Sequence, residues 1–278
     1  MNLFQRVRGG ATLLLTVAGV GLGHGCRNAN SASPPRLGEG ARPPVVATVD
    51  EHRQDTSVSM LQHPDYQHFG EAGAVRFNQV AKSRPIIYKR LAEYLVDRFD
   101  LSTRPGIGID IGGGPGDLVL ELTARSEQFY WISSDINTWY ARSFAEDALK
   151  RGVLQRTGFV FANACDLPFK SSYADLVLSR GAYQFWPSLE QGVKEIYRVL
   201  RPGGWAFIGR GFPPTMPEEE VRALLEKKLA GGPTYDPAAD ADRFGAIMES
   251  LAVSHFEIIR HQSQDPAARY GVWLCFQR

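Results

Sequence analysis

From Arg84 to the end of the chain, helical patterns alternate with short apolar runs. The first helix is predicted over 84–99, because Ile87, Leu91 and Leu95 repeat at helical spacing and Pro85 suits a first turn. Apolar runs predict strands over 107–111, 129–133, 159–161, 174–178, 205–208, 255–260 and 271–276. The other predicted helices are 118–125, 137–151, 189–200, 217–230 and 240–251. This alternation predicts an α/β fold with a mainly parallel seven-stranded sheet, an antiparallel final strand and helices on both faces.

Residues 1–26 have the three parts of a secretory signal. Arg6 and Arg8 form the charged part, residues 11–23 form an apolar run, and small residues surround Cys26. The run is shorter than the ~20 residues that span a bilayer as a helix. A cysteine directly after such a run is typical of a bacterial lipoprotein, although the residues before Cys26 fit that processing site poorly. We expect export or membrane attachment through this segment; the alternatives are an uncleaved anchor, or a cytoplasmic protein with a wrongly assigned start codon.

Residues 27–55 are rich in Pro, Ser, Ala, Arg and Gly. This composition favours a disordered, Pro-rich linker without a core of its own. The remaining residues, 56–278, are predicted to form one folded domain with its core over about 104–278. The expected organisation is therefore a signal-like segment, a linker and a single domain.

Composition excludes several classes of function. The chain of 278 residues has 31 Lys and Arg against 30 Asp and Glu, so no excess of positive charge indicates a nucleic-acid partner. Its three cysteines, Cys26, Cys165 and Cys275, are too far apart for a disulfide framework or a metal pair. Cys165 and Cys275 are interpreted as small buried apolar residues. The histidines show no metal-ligand spacing, and no metal is expected.

A glycine-rich turn follows the first predicted strand, with the sequence Asp110-Ile-Gly112-Gly-Gly114-Pro-Gly116. Glycines permit a sharp turn and a close approach of the backbone to a ligand. A dinucleotide fingerprint, however, needs a third glycine where this chain has Asp117. The carboxylates of Asp110 and Asp117 make the turn unfavourable for a diphosphate and more suitable for a ligand that carries a cationic amine or sulfonium. The Gly-Lys-[Ser/Thr] of a Walker loop does not follow the turn.

This turn resembles the first motif of the class I S-adenosylmethionine-dependent methyltransferases, in which an acidic residue and one spacer precede Gly-x-Gly-x-Gly. Later segments resemble the family pattern in the same order: Asp135 ends the second strand, 163–169 follows the third, and 174–180 forms the fourth. The resemblance covers roughly residues 65–210 and is to the type 11-like domain. It implies a Rossmann-like fold, S-adenosyl-L-methionine as the cofactor, and in-line transfer of a methyl group to a small-molecule or lipid-like acceptor.

The resemblance also implies which residues contact the cofactor. Asp135 is expected to accept hydrogen bonds from the ribose diol. Asn163 stands where the family usually has Asp, and its amide can still accept from and donate to the adenine ring. The cofactor-binding residues expected on this basis are Asp110, Gly112, Gly114, Gly116, Asp135, Ile136, Asn163, Ala164 and Ser179.

The acceptor is expected near the end of the fourth strand. Arg180 can neutralise an acidic acceptor or brace the loop, while Tyr183, Phe185 and Trp186 can form an apolar pocket, stabilise the sulfonium by cation–π attraction, or pack in the core. In similar enzymes a segment at the position of 58–100 covers the site, so we expect a lid there. The sequence identifies no catalytic base.

Two alternatives remain open. A nicotinamide-dependent oxidoreductase has a related fold, but the missing third glycine and the lack of a Tyr-x-x-x-Lys pair disfavour it. The second alternative is a non-catalytic exported binding module on the same fold, because the methyl donor is a cytosolic metabolite and the chain begins with a signal-like segment.

Overall fold

The structure is a computed structural model that describes residues 70–226, 236–261 and 270–278, together with the backbone of Leu14–Leu15. The signal-like segment 1–26 and the linker 27–55 lie outside the described residues, apart from those two leucines. Leu14–Leu15 form a two-residue strand that pairs antiparallel with Phe159 and Val160 at one edge of the sheet. Among the described residues, no helix is long and apolar enough to span a bilayer.

Seven longer strands form the sheet. They are β1 (Gly106–Ile111), β2 (Phe129–Asp135), β3 (Thr157–Phe161), β4 (Ala174–Arg180), β5 (Leu200–Gly211), β6 (Phe256–Arg260) and β7 (Gly271–Gln277). Their order across the sheet is β3-β2-β1-β4-β5-β7-β6, and the first five strands are parallel. β7 runs antiparallel to both of its neighbours. The α/β fold, the mainly parallel sheet and the antiparallel final strand predicted from the sequence are confirmed.

Helices cover both faces of this sheet. They are α1 (Glu71–Lys82), α2 (Pro85–Phe99), α3 (Asp117–Thr123), α4 (Tyr140–Lys150), α5 (Leu189–Val199), α6 (Glu218–Glu226) and α7 (Pro237–Ser250). One apolar core joins α5 and α7 to one face of the sheet, and a second joins α2, α3 and α4 to the other. Successive side chains of a strand point to opposite faces, so Val177 of β4 lies in the first core and Leu178 in the second.

Two expectations about single elements need correction. The sequence pattern did not predict α1, because three large apolar residues of this helix, Val75, Phe77 and Val80, are exposed and form no stripe toward a core. Cys275 is fully buried in β7 as expected, whereas Cys165 is only partly buried. The loop after β3 leaves the Cys165 sulfur close to the surface, where it contacts the Ser188 carbonyl oxygen at 3.3 Å.

Candidate active site

A cavity of about 470 Å³ lies where the carboxyl ends of the central parallel strands meet. After β1 the chain continues to its neighbour β2, and after β4 it continues to β5 on the other side of the sheet. The two connections leave in opposite directions, so a crevice opens between β1 and β4. The lining residues come from the turn after β1 and from the loops that follow β2, β3 and β4, with part of α1 above them. The volume suits a ligand of the size of a nucleoside with a side chain.

The glycine-rich turn forms the floor of this cavity. Gly112, Gly114 and Gly116 all have positive φ angles, of 68°, 56° and 82°, which other residues adopt only at a cost. Gly112 and Gly114 line the cavity. Gly116 lies behind it as the N-cap of α3, and a β-carbon there would lie 2.2 Å from the ring of Phe144. Gly116 therefore shapes the turn and does not itself line the cavity.

Asp135 lies at the end of β2 with its carboxylate held by backbone N–H groups. Gly114 donates to one oxygen at 2.9 Å and Asn137 donates to the other at 2.8 Å. A carboxylate has about four acceptor sites, so Asp135 keeps acceptor capacity for a ligand. Burial raises the pKa of Asp135 to about 6, and hydrogen bonds from Asn137, Gly114 and Ile136 oppose that rise. Asp135 and Ile136 both line the cavity.

The loop after β3 forms the opposite wall. Asn163 and Ala164 are buried and line the cavity together with Ala162. The Asn163 side-chain oxygen accepts from the backbone N–H of Cys165 at 2.9 Å, so the amide orientation is fixed within the loop. That oxygen retains one acceptor site and the amide nitrogen is a donor. The wall can thus present both kinds of hydrogen-bonding group to a flat heterocycle.

Comparison with known proteins agrees with this geometry. Residues 109–208 match the family described as a methyltransferase domain. A protein from Methanococcus maripaludis, assigned as an S-adenosyl-L-methionine-dependent methyltransferase, superposes with a TM-score of 0.63 at 25% identity, over 76% of this chain and 94% of that protein.

Over residues 109–208 the chain is therefore similar to a methyltransferase domain, as the motifs in its sequence implied. The ubiquinone/menaquinone biosynthesis C-methyltransferase UbiE of Brucella abortus is 34% identical over 105 residues, which cover 37% of this chain and 39% of that protein. The UbiE of Vibrio vulnificus is 26% identical over 214 residues, 70% of this chain and 82% of that protein. The chain thus spans less than half the length of the Brucella relative.

Besides Gly116, two more residues of the expected cofactor set lie beneath the cavity and do not line it. Asp110 is buried behind the turn, where a β-carbon on Gly113 would lie 2.9 Å from its carboxylate oxygen. Burial and the nearby charge of Asp135 raise the pKa of Asp110 to about 8. Ser179 is buried as well, and its hydroxyl donates to the Ile111 carbonyl oxygen at 2.8 Å, which ties β4 to β1. Side chains alternate between the two faces along a strand, so Asp110 of β1 and Ser179 of β4 point toward the layers beside the sheet and not into the cavity.

The predicted acceptor residues divide into two groups. Arg180, Phe185 and Trp186 line the cavity. Tyr183 does not: its ring packs against Phe244 of α7 and its hydroxyl donates to Asp240. The structure thus places Tyr183 in the core beneath the segment that carries the exposed Phe185 and the partly buried Trp186.

Further lining residues were not expected from the sequence. Phe77 and Val80 of α1 lie over the cavity, and Tyr140 at the start of α4 forms part of its wall. Tyr140 is buried and at the same time lines the cavity. The signal available in the sequence was that the apolar residues of α1 form no stripe toward a core. Such residues can line a pocket instead. No cluster of metal-binding side chains occurs in the described parts of the chain.

Proposed function

We propose that this protein is an S-adenosylmethionine-dependent methyltransferase that acts on a small-molecule or lipid-like acceptor. The observation that carries the proposal is the ionisable carboxylate of Asp135, fixed by two backbone N–H groups beside a glycine turn that lets a ligand approach the backbone. S-adenosylmethionine supplies a methyl group already activated on a sulfonium. The protein's own task is to bind and align the two reactants.

The residues present fit such a cofactor. The Asp135 carboxylate can accept from the hydroxyl groups of a ribose, and a charge-assisted bond of this kind is worth about 1.5–3 kcal/mol. Asn163 and Ala164 on the opposite wall suit an adenine ring, while Gly112 and Gly114 leave room for the rest of the nucleoside. The proposed cofactor set therefore retains Gly112, Gly114, Asp135, Ile136, Asn163 and Ala164 as contacts, with Asp110, Gly116 and Ser179 as supports beneath them.

The acceptor end of the cavity is apolar. Phe77, Val80, Phe185 and Trp186 line it, and Phe185 is half exposed at 51%. An apolar wall of this kind suits an aromatic or lipid-like body. The UbiE relatives are named for ubiquinone/menaquinone biosynthesis, and quinones combine a ring with an apolar tail. This likeness supports a ring-bearing apolar acceptor.

Catalysis in this cavity depends on alignment. Among the described lining residues, only Asp135, Tyr140 and Arg180 have ionisable side chains, and the Asp135 carboxylate is already held by backbone donors. We therefore propose that the chain contributes orientation and exclusion of water, which together can supply up to about 7–11 kcal/mol. Burial raises the pKa of Tyr140, which keeps its hydroxyl protonated at neutral pH and available as a donor.

We further propose a three-part organisation, with residues 1–26 attaching the protein to a membrane, 27–55 as a linker and 56–278 as the catalytic domain. The support is the signal-like apolar run before Cys26 together with the apolar acceptor wall, since lipid-like acceptors reside in membranes. Fractionation of cells that express the full chain with a C-terminal reporter tests this. Recovery of the reporter in the soluble fraction would reject membrane attachment without affecting the assignment of the domain.

Calorimetric titration of the full chain with S-adenosylmethionine tests the activity proposal. Saturable binding is expected, and Asp135→Ala is expected to weaken it about 10–100-fold, because the ribose loses its charged acceptor. Asp242→Asn, at an exposed position of α7, is the matched control and should bind as the wild type does. Absence of binding to the wild type, or tighter binding of reduced nicotinamide adenine dinucleotide, would reject the proposal in favour of a binding module or an oxidoreductase.

A further inference from the structure

Arg180 is the one positively charged residue among the described residues that line the cavity. It is the last residue of β4, paired in register with Gly209 of β5. The backbone N–H of the next residue, Gly181, donates to the Gly209 carbonyl oxygen at 2.7 Å, so the point where the chain leaves the sheet is fixed. The backbone that carries the Arg180 side chain is thus fixed at the crevice between β1 and β4.

The hydrogen bonds of this guanidinium are long and few. One terminal nitrogen lies 3.5 Å from the Tyr88 hydroxyl oxygen and the other lies 3.4 Å from the Gly211 carbonyl oxygen. The Nε atom is buried and has no hydrogen-bond partner among the described residues. A guanidinium has five N–H donors, so most of the hydrogen-bonding capacity of Arg180 is unused.

The charge of Arg180 is also uncompensated. Within the described parts of the chain, no carboxylate oxygen lies within 4.0 Å of its nitrogens, whereas most cavity-remote arginines of this domain, such as Arg125 and Arg198, form ion pairs. Asp110 is close enough to interact with Arg180 electrostatically, but burial raises the pKa of that carboxyl group to about 8 and keeps it largely protonated at neutral pH. Tyr88 stacks its ring under the guanidinium at 5.0 Å, which holds the cation without neutralising it.

We propose that Arg180 determines acceptor specificity by binding a carboxylate on the methyl acceptor, so that the substrate is an acid with an apolar or aromatic body. This inference rests on the proposed methyltransferase function and names the substrate class of the same site. The planar fork of a guanidinium matches the two oxygens of a carboxylate. Phe185 and Trp186, which line the same cavity, provide the apolar surface for the remainder of such a molecule.

The cofactor has a carboxylate as well, at its amino-acid end, and the experiment must separate the two sources. The probes are 4-octylbenzoate and its neutral isostere 4-octylbenzamide, titrated calorimetrically into the full chain with and without saturating S-adenosylhomocysteine. The wild type is expected to bind the benzoate about 10–100-fold more tightly than the benzamide, with the cofactor product present or absent. In Arg180→Gln this preference should vanish, while Arg180→Lys should keep part of it, because a lysine retains the charge but not the fork.

Arg142→Gln is the matched control, since Arg142 is exposed on α4 and pairs only with Glu146 along its own helix in the described structure. Its preference for the benzoate should equal that of the wild type.

Equal affinity of the wild type for both probes, or an unchanged preference in Arg180→Gln, overturns the proposal. The wild-type comparison decides even if that variant fails to fold. A preference that disappears when S-adenosylhomocysteine is bound assigns Arg180 to the cofactor's carboxylate and overturns it as well. If S-adenosylhomocysteine itself does not bind, the proposed function fails; if it binds and no preference exists, only this inference fails.

Discussion

The carboxylate of Asp135 accepts a hydrogen bond from the backbone N–H of Gly114 at 2.9 Å, and this bond joins the end of β2 to the glycine turn after β1. Gly114 has a φ of 56°, a left-handed conformation that glycine adopts without a steric penalty. The bond fixes the orientation of the carboxylate before a ligand arrives. A preorganised acceptor of this kind reduces the entropy that binding would otherwise cost.

The first prediction concerns the pH dependence of nucleoside binding. Adenosine is a suitable probe, because neither its ribose nor its base titrates between pH 5 and 8. Burial raises the pKa of Asp135 to about 6, so the carboxylate is ionised above that pH and protonated below it. Adenosine affinity should be constant from pH 7 to 8 and should fall by about tenfold for each pH unit below 6. Calorimetry over this range measures the effect.

The control is Asp135→Asn, which has no titrating group at this position. Its adenosine affinity should be low and independent of pH between 5 and 8, because the amide nitrogen would face the N–H of Gly114 or Asn137 instead of accepting from it. A wild-type profile that is flat across pH 6 would contradict the assignment of Asp135 as the ribose acceptor.

The sequence predicted the sheet well because its central strands are short apolar runs with turn residues at both ends. β1 and β4 are buried on both faces, which leaves a continuous apolar signature, and the glycine turn after β1 has a spacing that distinguishes it from a dinucleotide site. The placement of Asp135 at a strand end was likewise readable, because the carboxyl ends of parallel strands meet at one edge of the sheet.

The sequence could not reveal which members of a motif line the cavity. Asp110 and Ser179 belong to recognisable segments, but strand alternation and the bond from the Ser179 hydroxyl to Ile111 place them beneath the cavity. Tyr183 likewise sits in an aromatic cluster, and only the position of α7, distant in sequence, shows that it faces Phe244. These placements depend on long-range packing that no local pattern records.

A second prediction concerns the glycine turn. Gly116→Ala should destabilise the protein more than Gly152→Ala, although both glycines have positive φ angles, of 82° and 69°. A β-carbon at Gly152 meets no atom within 4 Å, whereas one at Gly116 would lie 2.2 Å from the Phe144 ring. The left-handed conformation alone costs about 1–2 kcal/mol, and the overlap should add about 1–3 kcal/mol at Gly116. Urea denaturation followed by circular dichroism measures both; equal losses would show that the turn relaxes freely.

A third prediction separates a structural role of Tyr183 from contact with the methyl acceptor. Tyr183→Phe keeps the ring against Phe244 but removes the hydrogen bond to Asp240. The free energy of unfolding should fall by about 1.5–3 kcal/mol, because the carboxylate of Asp240 loses a hydrogen bond from a buried hydroxyl. Tyr197→Phe, at a half-exposed position of α5, is the control and should be nearly neutral. If Tyr183→Phe leaves stability unchanged and alters only acceptor binding, then Tyr183 contacts the substrate after all.

The last prediction concerns Asp110 and the stability of the protein. Burial, and then the charge of Asp135, raise the folded-state pKa of Asp110 to about 8, well above the ordinary value of 3.8 for an aspartate. The folded protein therefore binds a proton here that the unfolded chain releases, so the stabilising contribution is full below pH 4 and is lost as the pH rises toward 8. Wild-type stability should thus decrease between pH 6 and 8, whereas Asp110→Asn, which has no charge to bury, should lose much of this dependence and be more stable than the wild type at pH 8. Thermal unfolding across this range measures the difference, with Asp97→Asn, an exposed carboxylate of α2, as the control that should follow the wild type. A variant that is less stable than the wild type at pH 8 would mean that Asp110 is ionised there and compensated, most directly by Arg180, and the cation at the cavity would then already have its counterion.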